Sequence, residues 1–242
     1  MLLNCDLGES FGPWQMGLDD QVMPHIDMAN VACGFHAGDP DVMAHTLNLV
    51  KQHQVMLGAH PSYPDRQGFG RRSMALSDGE LRHALHYQIA ALEGMAKVQG
   101  LTLSYVKPHG ALYNDMMKSE ALLSTVIKAV ADYPSDLKLM ILATKAQQQH
   151  QQLAQQYGVT LFFEAFADRL YTDEGLLTPR TEPNAVHNKT ALLAQVKQLH
   201  QQGSVTTSSG QTLPLRADTL CVHGDNEASI ALVKEIKHEL SC

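Results

Sequence analysis

A chain of 242 residues, 44% hydrophobic and 18% charged, has the length of one large α/β unit and the balance of an ordinary soluble globular protein. Its formal net charge of -7 argues against a nucleic-acid or anionic-membrane surface, which needs a basic face. The opening "MLLNCDLGES" has no basic n-region, and no segment approaches the ~20 apolar residues of a membrane span. The four cysteines (Cys5, Cys33, Cys221, Cys242) form no CxxC pair, so a reducing, cytoplasmic setting is expected.

Along the chain the pattern is strand, polar loop, helix, repeated. "LLNCDL" opens as a strand and "HIDMANVA" is a second. Asp39 is placed to cap a helix with Pro40 at its first position. "VMLGAH" is the third strand, followed by a long loop through "PSYPDRQGFGRRSMAL". Ser77 and Glu80 have capping-box spacing for the next helix, and Gly100 closes it. "LSYVKPHG" is the fourth strand, with a helix through "SEALLSTVIKAVADY". "LKLMILA" is a continuous apolar run suited to a strand buried on both faces. The Gln-rich "KAQQQHQQLAQQYG" keeps apolar positions at helical spacing. "VTLFFEAF" is the sixth strand, before an irregular loop from Ala167 to Asn188 and the helix "KTALLAQVKQLHQQ". "SVTTSSGQTLPLR" reads as an appended hairpin, "TLCVHGD" as the seventh strand and "NEASIALVKEIKHEL" as the last helix.

Seven strand-helix units without a linker predict a single parallel-sheet domain over residues 1–242. A closed or slightly open barrel accounts best for where the polar residues fall. Asn4 and Asp6, Asn30 and His36, His60, Lys107 and His109, Glu164, and His223 and Asp225 all stand at strand ends. An α/β barrel opens all those ends onto one mouth. No strand-linked GxGxxG or Walker lysine loop is present, which removes support from two common nucleotide-binding readings.

Asn4-x-Asp6, Lys107-x-His109 and His223-x-Asp225 share a spacing that turns both side chains of each pair to one face of a strand. The bland reading of each pair is a buried, satisfied polar couple. Asp6, His36 and His60 suit either a divalent metal or a general base with a carboxylate partner. Arg71 and Arg72 lie in a glycine-containing loop, where one guanidinium can reach a carboxylate or phosphoryl group. Asp168 and Arg169 follow the sixth strand, and Arg180 sits in a proline-containing loop. Gly34 and Gly38 allow a sharp turn and close approach to a ligand. Cys33 reads as a small apolar residue rather than a nucleophile.

Taken together, "NCDLGESFG", "ANVACGFHAGDP", "GAHPSYPDRQGFGRR", "VKPHGALYN", "FADRLYTDEGLL" and "DTLCVHGD" resemble the LamB/YcsF family nearly end to end. Ser62 replaces a usual glycine, and "TEPNAVHN" is looser than the family pattern. The resemblance implies a distorted seven-stranded β/α barrel of the glycoside hydrolase/deacetylase type. It implies action with two partner subunits, B and C, in the ATP-dependent opening of 5-oxoproline to L-glutamate. ATP would activate the ring carbonyl oxygen, with a partner the sensible place for that step. Asp6 with His36 or His60 would then deprotonate water, while Lys107 and His109 stabilise negative charge. Arg71 or Arg72 would hold a carboxylate or phosphoryl group, and Glu164, His223 and Asp225 would orient the others. Asn4, Asn30, Gly34 and Arg169 complete the expected substrate site. The alternatives are a stand-alone metal-dependent deacetylase or hydrolase of the same barrel type, and a non-catalytic lactam-binding subunit.

Overall fold

The computed structural model of the protein describes residues 1–224 and 227–240. The elements run β1 (Leu2–Leu7), α1 (Asp19–Val22), β2 (Met28–Ala32), α2 (Pro40–His53), β3 (Met56–His60), α3 (Asp78–Val98) and β4 (Leu103–Val106). They continue with α4 (Gly110–Met116), α5 (Glu120–Ala131), β5 (Lys138–Leu142), α6 (Gln147–Gln155), β6 (Leu161–Phe166) and α7 (Lys189–Gln202). β7 (Ser204–Thr206), β8 (Thr212–Pro214), β9 (Thr219–Val222) and α8 (Glu227–Glu239) complete the order. Seven parallel strands close into a barrel in the order β1-β2-β3-β4-β5-β6-β9, and β7-β8 form a separate antiparallel hairpin.

Period-two alternation divides the apolar residues into two cores. Leu3, Cys5 and Leu7, Ala29 and Val31, and Leu57 and Ala59 pack outward with helix residues such as Leu47, Leu85 and Val126. Met28, Tyr105 and Met140, flanked by Met56 and Phe162, form a smaller cluster inside the barrel. That inner cluster makes the barrel distorted as well as filled. Tyr105 occupies the space beside Gly58, where a Cβ would lie 2.1 Å from its ring. The β3-β4 register shifts between Leu57 and Gly58, and β4 pairs with β5 over only two residues.

The helix starts follow their caps. Asp39 accepts from the N–H groups of Asp41 and Val42, with Pro40 first in the helix. Ser77 and Glu80 form the capping box of α3. Two details depart from the sequence reading. β4 stops at Val106, although Lys107 N and His109 N still donate to Ala59 O and Pro61 O at 2.8 Å. Pro108 carries no N–H for a ladder, yet the alternation survives. A short helix, α4, then precedes α5, whose Ser119 cap accepts from Leu122 N.

The 167–188 loop is tied down from below. Gln195 of α7 donates to the carbonyls of Phe166, Ala167 and Arg169. The buried Tyr171 hydroxyl accepts from Phe166 N at 2.7 Å. No helix among the described residues is long and apolar enough to cross a membrane.

Candidate functional site at the barrel mouth

A polar layer lies directly above the inner apolar cluster. The Tyr105 hydroxyl donates to Asn30 Oδ1 at 2.6 Å. Asn30 Nδ2 in turn donates to Asn4 Oδ1 and Asp6 Oδ1, both at 2.8 Å. Asn4 Nδ2 donates to Thr219 Oγ1. Lys107 Nζ sits at the centre, 2.9 Å from Asp6 Oδ1, 2.7 Å from Glu164 Oε1 and 3.1 Å from Asn4 Oδ1. The other Glu164 oxygen accepts from the Tyr113 hydroxyl at 2.7 Å. The structure therefore places Asn4, Asn30 and Glu164 beneath the cavity, fully buried, where they orient Asp6 and Lys107 instead of lining the wall.

Electrostatics fix the charge states of that layer. Burial alone would raise the Asp6 carboxyl, but the facing His60 ring and the Lys107 ammonium hold it well below the usual range. Burial likewise opposes the Lys107 charge, but the carboxylates of Asp6 and Glu164 keep its pKa well above that of a free lysine. The result is an ammonium between two carboxylates, in a site of low dielectric.

Three imidazoles crown the layer. His60 Nε2 is 3.3 Å from Asp6 Oδ2 and 2.9 Å from His109 Nδ1. The rings of His36 and His109 stack at 3.8 Å between centroids. Glu9 Oε1 lies 3.1 Å from His36 Nε2 and 3.5 Å from His109 Nδ1. Burial pushes His36 and His109 well below the ordinary imidazole range, and the neighbouring histidines push the same way. Glu9, His36, His60 and His109 offer four donor atoms within 4.8 Å of one another. This set keeps His36 and His60 of the sequence expectation. Glu9 and His109 stand where Asp6 was expected, because Asp6 Oδ1 is taken up by Lys107 and Asn30.

Close backbone approach makes the cluster compact. Gly70 has φ +64°, and a Cβ there would lie 2.8 Å from His109 Cδ2. Gly110 has φ +59°, and its Cβ would meet Gly70 O at 2.5 Å. Only glycine fits both positions. Phe69, just before Gly70 and itself at φ 53°, presents its carbonyl to His109 Nε2 at 2.9 Å. Its ring meets those of His36 and His109 edge-on.

Two adjoining cavities of about 580 and 360 Å³ open at this mouth and share Asp6, Arg71, His109, Arg180 and His223. Of the two adjacent arginines, Arg71 lines both cavities, with its guanidinium 5.0 Å from the Phe69 ring centre. Arg72 instead donates to Asp65 and lines neither. Arg169 lines the smaller cavity, but its guanidinium donates to the carbonyls of Thr178 and Ala185 and so builds the loop that carries Arg180. Asp168 and Arg169, adjacent in sequence, form no ion pair among the described contacts. Asp168 pairs with His223 at 3.3 Å instead. Gly34 lines neither cavity, and its carbonyl accepts from Arg66. Asp225 and Cys242 lie outside the described residues. Cys33 is buried, with its thiol pushed up to about 12 by burial.

Sequence reasoning missed Glu9, Phe69 and Tyr113. Glu9 and Phe69 lie inside motifs quoted above, but on turns, where no period says which way a side chain points. Tyr113 is one turn into α4, a helix not read from the sequence.

The LamB/YcsF family model matches residues 1–242. A protein of Vibrio parahaemolyticus, named as one of the subunits of 5-oxoprolinase, is 54% identical over 241 residues, covering 99% of this chain and 95% of that one. One of the same name from Pseudomonas fluorescens is 54% identical over 242 residues, covering 100% and 97%. The crystal structure of a lactam utilization protein from Thermus thermophilus superposes with a TM-score of 0.91 at 35% identity, covering 100% of this chain and 96% of the other. Matched along its whole length in sequence and along its whole barrel in structure, the chain belongs to the LamB/YcsF family.

Proposed function

We propose that this chain is the ring-opening subunit of an ATP-dependent 5-oxoprolinase, working with two partner subunits, B and C, to convert 5-oxoproline to L-glutamate. Relatives at 54% identity are named as 5-oxoprolinase subunits, and the solved neighbour is called a lactam utilization protein. The observation that carries the reading is the buried Lys107 ammonium, clamped by Asp6 and Glu164 and lining the smaller cavity beside His60, His109 and Arg71.

A five-membered lactam is a stable amide, so its opening is driven. ATP phosphorylates the ring carbonyl oxygen, which makes the ring carbon electrophilic. ADP leaves, water attacks that carbon, the ring C–N bond breaks as the nitrogen takes a proton, and the γ-glutamyl phosphate so formed is hydrolysed to L-glutamate and inorganic phosphate. Asp6, with His60 3.3 Å away, is placed to take the water's proton. Lys107 faces the oxygen on which negative charge grows, already desolvated and oriented. Arg71 holds the substrate carboxylate or the phosphoryl group. Asn4, Asn30, Glu164 and Tyr113 are positioning residues, because they act through Asp6 and Lys107. A lactam carrier that only bound a small ring would have no use for a buried ammonium between two carboxylates.

The test is glutamate formation in the reconstituted three-subunit system, with ATP and 5-oxoproline. Asp6→Ala, His60→Ala and Lys107→Ala are each expected to lower kcat by at least about 100-fold. Near-native turnover in all three would overturn the site. Lactam hydrolysis by this chain alone without ATP would overturn the coupling and favour a stand-alone hydrolase.

A further inference from the structure

The three imidazoles raise a question of protons. A carbonyl oxygen only accepts hydrogen bonds. His60 Nδ1 lies 2.7 Å from Lys107 O, so Nδ1 carries the His60 proton. His109 Nε2 lies 2.9 Å from Phe69 O, so Nε2 carries the His109 proton. In neutral rings the remaining nitrogens are both bare lone pairs. Those two nitrogens, His60 Nε2 and His109 Nδ1, face each other at 2.9 Å. Two lone pairs do not hold that distance unaided, so a positive centre belongs beside them: a proton or a metal ion.

The surroundings separate these two answers. An imidazolium here would stand against the parallel His36 ring, 3.8 Å away and tilted by 4°. Neutral imidazoles are what a metal takes. The outward N–H groups of His60 and His109 are each fixed on a backbone carbonyl, as metal-ligating histidines usually are. The spacing also fits. Tetrahedral zinc with bonds of ~2.0–2.1 Å sets its donors roughly 3.3 Å apart. Three of the six separations are 2.9 Å for His60–His109, 3.1 Å for His36–Glu9 and 3.5 Å for His109–Glu9, and all six lie within 4.8 Å.

We infer that Glu9 Oε1, His36 Nε2, His60 Nε2 and His109 Nδ1 form a binding site for a first-row divalent cation, with zinc the best match to three imidazoles and one carboxylate. The side-chain relative exposure of Glu9 is 14%, that of His36 is 0%, and those of His60 and His109 are 1% and 7%, so the ion would be enclosed on most sides. Asp6, 3.3 Å from His60 Nε2, adds negative charge without being needed as a ligand. His36 is the least anchored member, since its buried Nδ1 has no hydrogen-bond partner among the described residues. Cation binding does not depend on ring opening being the reaction, and either can fail alone.

The experiment uses the full chain, stripped by a chelator and returned to metal-free buffer. Zn(II) and Co(II) are the probes. Expected are about one equivalent of Zn(II) retained through gel filtration and visible d–d bands of four-coordinate Co(II). A Tm rise of roughly 5–10 °C is expected at zinc about 100-fold above Kd. Glu9→Gln and His109→Gln, checked for native circular dichroism, should each weaken binding by at least about 10-fold. His36→Gln should weaken it less than His109→Gln. Retention below about a tenth of an equivalent with no Co(II) band and no Tm change overturns the inference. So does binding that both Glu9→Gln and His109→Gln leave unchanged. Nitrogen-15 shifts showing a protonated His60–His109 pair that zinc does not alter would likewise refute it, and would assign the short contact to a shared proton.

Discussion

Replacing Lys107 by methionine removes the ammonium from between two carboxylates. Lys107 Nζ is 2.7 Å from Glu164 and 2.9 Å from Asp6. At an effective dielectric of ~20, each contact carries ~6 kcal/mol of Coulomb energy before desolvation. Most of that offsets the cost of taking three charges out of water, so the intact cluster adds little net stability. Removing the cation alone is different, because the carboxylates stay buried without it. The Asp6 side chain keeps 23% exposure, whereas that of Glu164 has 0%, so the burden falls on Glu164. Lys107→Met is expected to destabilise the fold by ~3–5 kcal/mol. For a chain of this size that is a Tm loss of roughly 6–20 °C. Glu164→Gln in the Lys107→Met background removes the stranded charge and should restore at least ~2 kcal/mol, a coupling seen only between interacting groups. Scanning calorimetry on the wild type, both single variants and the double variant measures the cycle. A Lys107→Met loss under ~1 kcal/mol, or additive single and double effects, would refute the buried-triad reasoning.

Three other outcomes test separate parts of the structure. Gly58→Ala puts a methyl 2.1 Å from the Tyr105 ring and should cost at least ~1–3 kcal/mol in urea unfolding, with part recovered by adding Tyr105→Leu; an unchanged midpoint would show that the barrel interior yields there. Burial raises Asp19 to about 6, so its folded pKa exceeds its unfolded one: the stability it adds is full below about pH 4 and lost as pH rises through about 6. Asp19→Asn should therefore gain on the wild type by ~1–3 kcal/mol between pH 4 and 7, and a Tm difference that stays constant across that window would contradict it. In the three-subunit assay, Arg71→Ala should raise the KM for 5-oxoproline roughly 10–100-fold, whereas Arg72→Ala, whose partner is Asp65, should leave it within about 3-fold; equal effects would mean that the cavity wall is misassigned.

The parts of this protein that a linear reading reached are those governed by local rules. Strand alternation placed Asn4 with Asp6 and Lys107 with His109, and the rule held past the end of β4 because Lys107 N and His109 N kept their bonds to the third strand's chain. The Asp39 and Ser77 caps were legible because a capping side chain reaches only two or three residues along its own chain. Strand-end chemistry predicted one mouth, since parallel strands in a barrel all end on the same side. Tertiary structure decided everything that depends on two segments meeting. It sent Arg71 to the cavities and Arg72 to Asp65, a choice between neighbours that a glycine loop leaves free. It sank Asn4 and Asn30 into a buried network, because only the closed barrel brings Thr219, Tyr105 and Lys107 to them. It brought Glu9 and Phe69, from two separate turns, against three histidines. The histidines were visible in the sequence, but the facing lone pairs of His60 and His109 were not: they exist only because the carbonyls of Lys107 and Phe69, folded in from elsewhere, hold each ring's proton on its far side.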